Sequence, residues 1–469
     1  MNTINRQAAL FLLVVITFFA FRFIGLKSDM TNSDAIRWHE RSENFINAFV
    51  NGNYKDTYQK YHPGVTLMWI VGTTKYFLGE FRVLGMGTHV TYDNKDWYET
   101  VDFVSKLSVL ATITLLFSVS LNIIYKLYGA KIAILFGFMV AVEPYLIGID
   151  RWLHLTSLET YLCLTSFLVI LYKQKIGYLV GSAFLLSLAI LTKISALFIL
   201  PVILFIVLKR NSVKHTFLYL TLISIFIFIF FPALWVEPIA TLAKILSASG
   251  SAIDGSLRSE NSLTSYSFYF VVLAIKTSVV TIVLLLVALK NSFRNKLTGS
   301  KYLVIYFCLI FVGLTSSGQK IDRYVVTLLP ILLLFIAVNI NNWRSIAIAK
   351  SIETLLVLVI FFPIMSGYFI YTPKSFEFIK NMGFYDNSGE YYRDAAVYLN
   401  NKNSKVFVPD NFDTFNPYYK GIYGMSYTNS DYVVTSYDVD RKNAYIEGCT
   451  IEKAFGSKTY VSVFVFKCN

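Results

Sequence analysis

Apolar runs about as long as a bilayer is thick recur along most of this sequence, and no other feature narrows the possible folds as far. A helical span needs roughly 20 mostly apolar residues. About eleven such windows can be marked, near residues 8–26, 101–124, 132–149, 152–172, 176–192, 194–208, 215–235, 266–289, 302–316, 324–341 and 351–371. Charged residues make up only 15% of the chain and hydrophobic ones 55%, where soluble domains carry about 25% charge. The expectation is a polytopic α-helical membrane protein of about eleven spans. The first run lacks a small-residue cleavage site and has Arg22 near its far end, so it reads as a retained span rather than a signal peptide.

Basic residues in short loops mark the cytoplasmic side. With Arg6 inside, Lys126 and Lys131, Lys173 and Lys175, Lys209, Arg210 and Lys214, Lys290 to Lys301, and Arg344 and Lys350 fall on that one side. The opposite, extracytoplasmic side then receives residues 27–100, residues 236–265, the turns near 150, 193 and 317–323, and the tail from 372. The net charge of +13 is largely explained by this topology, which argues against nucleic-acid binding. Exceptions to the rule therefore stand out. Arg151 in "DRWLHLTSLE", Lys193 in "LTKISALF" and the Lys320/Arg323 pair in "SSGQKIDRYVVTLLP" all lie at outer span ends. Ionisable groups at membrane depth are costly and point to function, although a single one can simply snorkel to the interface. Four on one face suggest an anion site.

The chain divides into a membrane domain, 1–371, and a small extracytoplasmic α/β domain, 372–469, in which "SKVFVPD", "DYVVTSYDV" and "TYVSVFVFK" have strand length. Outer loop 27–100 is too long for a connector. In it "SDAIRWHERSENFINAFVNG" places Ile36, Phe45, Ile46 and Phe49 on one helical side and stops at Gly52. "GVTLMWIVGTTKYFLG" is apolar but short, and reads as an interfacial helix. Outer loop 236–265 is Ser-rich and suits either a mobile cover or a solvated loop. Cys163 and Cys308 lie inside spans as small apolar residues, whereas Cys449 and Cys468 are free to pair in an oxidising compartment.

Asp34 follows the first span at the start of the outer-loop helix, and shares a face with Arg37, Trp38 and Arg41. Its competing role is structural, because "TNSD" has the form of a capping box. His62 precedes a Pro-Gly turn. His154 and Glu159 sit at the outer end of a span, either as packed, hydrogen-bonded residues or as site groups. No phosphate-binding loop, dinucleotide fingerprint, HExxH or CxxC is present, which disfavours a nucleotide-driven pump and a zinc protease. An acid among cations at the headgroup level suits a lipid-linked phosphate.

In order, "RFIGLKSDMTNSDAIRWHERSENFINAFVNGNY", "TYQKYHPGVTLMW", "DRWLHLTSLE", "LTKISALFILP" and "QKIDRYVVTLLP" resemble bacterial membrane glycosyltransferases of the protein O-mannosyltransferase and aminoarabinose-transferase type, with the C-type (GT-C) fold. The resemblance covers roughly residues 1–340. It departs at Asp34-Ala35, where such enzymes often read Asp-Glu, and at Thr156, where an acid often follows "LHL". The resemblance implies a polyprenyl-phosphate sugar donor, an inverting displacement, and Asp34 as general base. It implies that Lys193, Lys320, Arg323 and Arg151 hold the lipid phosphate, with Arg37, His62, His154 and Glu159 as substrate-binding candidates. It also places the protein in a bacterial inner membrane, with the site and the C-terminal domain facing the periplasm. The acceptor stays open among glycan, lipid and protein. The sequence identifies no cofactor, and Asp34, His39, Glu40 and His62 leave room for a divalent metal. A transporter or lipid-linked glycan flippase is the alternative.

Overall fold

The computed structural model describes residues 3–60, 63–78, 95–254, 263–292, 300–318, 320–340, 342–361, 389, 391–402, 404–436, 446–457 and 460–468. The helices are α1 (Thr3–Phe23), α2 (Ala35–Val50), α3 (Val65–Phe77), α4 (Lys95–Tyr128), α5 (Ala130–Val142), α6 (Pro144–Asp150), α7 (Leu155–Tyr172), α8 (Ile176–Thr192), α9 (Leu200–Arg210), α10 (Val213–Phe230), α11 (Ala233–Val236), α12 (Pro238–Asp254), α13 (Leu263–Lys276), α14 (Val279–Ser292), α15 (Ser300–Ser316), α16 (Leu329–Asn339), α17 (Trp343–Phe361), α18 (Tyr392–Asn400) and α19 (Phe412–Phe415). Each apolar window of the sequence falls on one or more of them. Among the described residues, five helical segments are long and apolar enough to cross a membrane, or up to seven if each of two bent pairs is one span. Helices α8 and α15 are apolar but shorter, and the end of the 351–371 window lies outside the described residues.

Helix α1 packs on α4 and α5, and α7 lies between α4 and α8. Every residue from Leu155 to Leu171 is buried, so α7 is the bundle's centre. Without water inside the bundle, its polar groups must find partners there. Ser120 meets Thr165 at 2.9 Å, and Ser182 meets both Ser166 and the Tyr219 hydroxyl. Arg22, wholly buried, donates to Asp150 at 2.8 Å and to the carbonyls of Phe18, Val140 and Ala141. A buried ion pair holds only when its remaining polar atoms are satisfied, and these carbonyls do that for the guanidinium.

Two spans are broken. Pro144 lacks a backbone donor and starts α6 at 66° to α5, and Thr277-Ser278 separate α13 from α14 at 113°. The breaks meet, because Glu143 at the first accepts from Ser278 N and from the Thr281 hydroxyl beyond the second. Lys350 of α17 completes the cluster, 2.7 Å from Glu143 and 2.9 Å from Glu353. Lys350 reads as a cytoplasmic loop charge in the sequence. It is instead fully buried, because Glu143 and Glu353 supply the partners that a buried ammonium requires.

Helix α2 runs as the apolar spacing predicts, with Ile36, Phe45 and Ile46 buried and Gly52 at φ 75 just beyond its end. Helix α3 lies along it, with Phe45 and Phe49 edge-on to Trp69 and Lys75 bonded to Glu43 at 2.6 Å. Loop 236–265 differs from the sequence reading, since α12 occupies residues 238–254. Pro238 at a helix start and the Ala/Leu/Ile content that follows override the serines.

The C-terminal domain carries strands β1 (Lys405–Phe407), β2 (Ile422–Tyr423), β3 (Tyr432–Ser436), β4 (Cys449–Ser457) and β5 (Tyr460–Cys468) in the order β2-β1-β3-β5-β4. Strand β1 is parallel to β2 and β3, while β5 is antiparallel to β3 and β4. Cys449 and Cys468 face each other across β4 and β5 and are disulfide-bonded. The domain docks on the loops at one end of the bundle. Arg393 donates to Ser28 O and pairs with Glu99, and the Tyr418 and Thr31 hydroxyls lie 2.7 Å apart.

Candidate active site

The segment between α1 and α2 is fixed before it reaches Asp34. Gly25 turns the chain at φ 73, a conformation open to glycine. Asp29 then meets Arg151 at 2.5 Å, and Arg151 also donates to the carbonyls of Arg22 and Ile24. Lys106 bonds Met30 O, and Thr31 is held by Tyr98 and Tyr418. Asn32 accepts from Asp34 N, so an asparagine, not the aspartate, ties off the turn.

Asp34 occupies the N-cap position of α2 but makes no capping bond with its side chain. The capping-box reading therefore does not account for it. Its Oδ2 receives Arg323 Nη2 at 2.6 Å and His154 Nε2 at 3.3 Å. His154 Nδ1 accepts from the Thr156 backbone N–H at 3.1 Å, so the proton resides on Nε2, which donates to Asp34. Both partners use the same carboxylate oxygen. Oδ1 has no protein partner among the described residues, and the side chain is 29% exposed.

Arg323 comes from the 3-10 turn Asp322–Leu328. That turn is anchored by Asp322 on Lys276 at 2.9 Å, and Lys276 lies at the break after α13. Behind Arg323, Lys193 places its ammonium 3.3 Å from the centre of the Tyr324 ring and 3.8 Å from Glu159 Oε2. The other Glu159 oxygen accepts from Ser195 at 2.5 Å. Arg323 and Asp34 are near enough for their charges to act on Lys193.

Burial alone would raise the Asp34 carboxyl. The His154 hydrogen bond and the Arg323 and His154 charges outweigh it and hold the group well below the usual carboxylate range. Burial, with the Arg323 charge beside it, lowers His154 to about 4 against the pull of Asp34. At neutral pH the site is thus a carboxylate, a guanidinium and a neutral imidazole.

Other sequence candidates sit elsewhere. Arg151 is committed to Asp29 and to backbone carbonyls, so it braces the loop that carries Asp34. Lys320 donates to the carbonyls of Leu314 and Thr315, capping α15. Arg37 turns to Asp413 of the C-terminal domain at 3.3 Å. His62 lies outside the described residues. After it, Gly64 at φ 59 has Trp38 so close that an added Cβ would fall 2.2 Å from the ring. His39 points into the core on Asp102 at 3.1 Å. Among the described residues no three or more His, Cys, Asp or Glu groups converge to hold a metal. Sequence reasoning missed Asp29, Ser195, Tyr324 and the Lys276–Asp322 pair. A lysine inside "VVLAIKTSVV" was a visible signal for the last.

No protein-family model matches the chain, and no curated protein sequence does. Solved structures do. ArnT from Cupriavidus metallidurans bound to undecaprenyl phosphate superposes with a TM-score of 0.58 at 12% identity, covering 97% of each chain. The same protein in its apo state gives 0.53 at 13% identity, over 99% of this chain and 98% of that one. The likeness shows that the chain shares the fold of these ArnT structures, and it extends past residue 340 into the C-terminal domain.

Proposed function

We propose that the chain transfers a sugar from a polyprenyl-phosphate donor to a hydroxyl acceptor at the extracytoplasmic face of a membrane. The single observation that carries this reading is the Asp34 carboxylate, which has one oxygen held by Arg323 and His154 and the other without a protein partner among the described residues. In the reaction, the acceptor oxygen attacks the anomeric carbon as its proton passes to Asp34 Oδ1, within hydrogen-bond reach. The bond from that carbon to the phosphate oxygen breaks with its electron pair, and polyprenyl phosphate departs. Arg323 meets the charge that develops there, with Lys193 behind it. A single preorganised donor of this kind can be worth about 2.7–4 kcal/mol.

A carboxylate held so low is a weak base at rest. The donor phosphate competes for the Arg323 guanidinium, and when it draws that group away Asp34 regains base strength. His154 keeps the carboxylate in place while this happens. The ArnT structure with undecaprenyl phosphate supports a lipid-phosphate ligand for this fold.

The test compares surface glycans and lipid-linked sugars in cells carrying wild type or Asp34→Asn at matched membrane abundance. The expected outcome is a glycan short of one sugar with its polyprenyl-phosphate donor accumulating. Unchanged pools would remove Asp34 from the chemistry. A second reading, transport, draws on the two broken spans that meet at Glu143 and Ser278, since transporters build sites at such breaks. Under it, a labelled substrate would cross liposomes without losing its sugar–phosphate bond.

A further inference from the structure

Beyond Asp34, one side of α2 continues as a polar strip, with Arg37, Arg41, Asn44 and Asn51 at helical spacing and the small Ala48 buried among them. Where the strip ends, the chain folds back through the turn Tyr54–Thr57 and leaves an open groove of about 480 Å³. It is lined by Asn44, Asn47, Asn51, Asn53, Gln59 and Tyr58, with Asp56 the only charged member among the described residues. The four asparagine side chains bond no other protein group among the described residues. Among the groove's described carboxamides only Gln59 is engaged, donating to Asp56 O, while the Tyr58 ring stacks on Phe231.

We infer that this groove holds the neutral glycan part of the acceptor, which makes the acceptor an oligosaccharide or polysaccharide. The inference rests on the transferase reading for its place in the reaction. The volume suits a small-molecule site, about 300–1,000 Å³, but the lining is not the apolar one such sites usually have. A carboxamide offers a carbonyl acceptor beside an NH₂ donor, the pairing that vicinal hydroxyls satisfy. A phosphate finds no cation in the lining, since the neighbouring Lys55 is turned to Glu237 at 2.7 Å. A lipid chain finds too little apolar wall, and a divalent cation finds one carboxylate. What remains is a neutral, hydroxyl-rich ligand. From Asp34 to Asn47 the helix rises about 20 Å at roughly 1.5 Å per residue. A glycan with its reacting hydroxyl at Asp34 would therefore have to extend over several sugars to reach the groove.

The experiment uses the purified full chain in detergent on an array of neutral and acidic oligosaccharides. Wild type, Asn47→Leu/Asn51→Leu and Asn51→Leu alone are compared. Expected is retention on neutral glycans, at least about tenfold weaker in the double variant. The single variant, which changes a residue just past the end of α2, decides the matter if the double variant melts early. No retention on neutral glycans, retention on acidic ones alone, or retention that survives both leucine variants overturns the inference. Failure of the transferase reading would appear separately, as an unchanged donor pool in Asp34→Asn.

Discussion

Under the proposed transfer, Arg323 has two claimants, Asp34 and the donor phosphate, and that competition gives two variants opposite signs. Nη2 and Oδ2 are 2.6 Å apart, with side-chain exposures of 11% and 29%. Unit charges about 4 Å apart interact by about 4 kcal/mol at an effective dielectric near 20. Hydration of the partly exposed carboxylate reduces the net effect to that of a hydrogen bond between charged groups, about 1.5–3 kcal/mol. Asp34→Asn removes the competitor, so binding of undecaprenyl phosphate should tighten by about 10- to 100-fold. Arg323→Gln removes the anion's own partner and should weaken it by a similar factor. The assay is thermophoresis of the purified protein in detergent against undecaprenyl phosphate, which needs neither the sugar nor the acceptor to be known. If both variants shift the dissociation constant in the same direction, or neither moves it beyond twofold, the exchange of Arg323 between carboxylate and phosphate is refuted.

Two further outcomes follow from the geometry. Gly64→Ala puts a Cβ into the Trp38 ring at a left-handed φ, which costs about 1–2 kcal/mol for the backbone and about 1–3 for overpacking; thermal melts in detergent should show a clear drop. His154 sits near 4 in the folded chain against 6.5 unfolded, so the unfolded state binds the extra proton between those values. Its contribution to stability is complete above about pH 6.5 and declines as pH falls toward 4, by up to about 3 kcal/mol. His154→Gln should flatten that part of a stability-against-pH curve.

The spans were legible because a membrane demands an uninterrupted apolar run, and such runs are visible in one dimension. Their breaks were less so. Pro144 and the Thr277-Ser278 pair sit inside windows whose average hydropathy conceals one or two polar residues. Loop statistics count Lys350 as a surface charge because they cannot see Glu143, 207 residues away. Asp34 and Arg323 each stood out as charges at span ends, but nothing local pairs residues 289 positions apart. The same blindness hides the protein partners of Arg151 and Lys320. Their actual partners, Asp29 and the last carbonyls of α15, are ordinary residues that carry no pattern. Strand β4 was missed because "CTIEKAFGS" alternates too weakly, and it is held by its neighbour β5 and a disulfide.

The Glu143 cluster bears on how the protein is made. Glu143 lies at an early helix, Ser278 at a middle one and Lys350 on a late one, and a ribosome delivers them in that order. Until α17 arrives, Glu143 lacks the ammonium it pairs with, so the cluster that joins the two breaks is completed only late in synthesis. The fold is closed by its late helix, and a chain stopped before residue 343 would expose an uncompensated acid to the membrane's quality control.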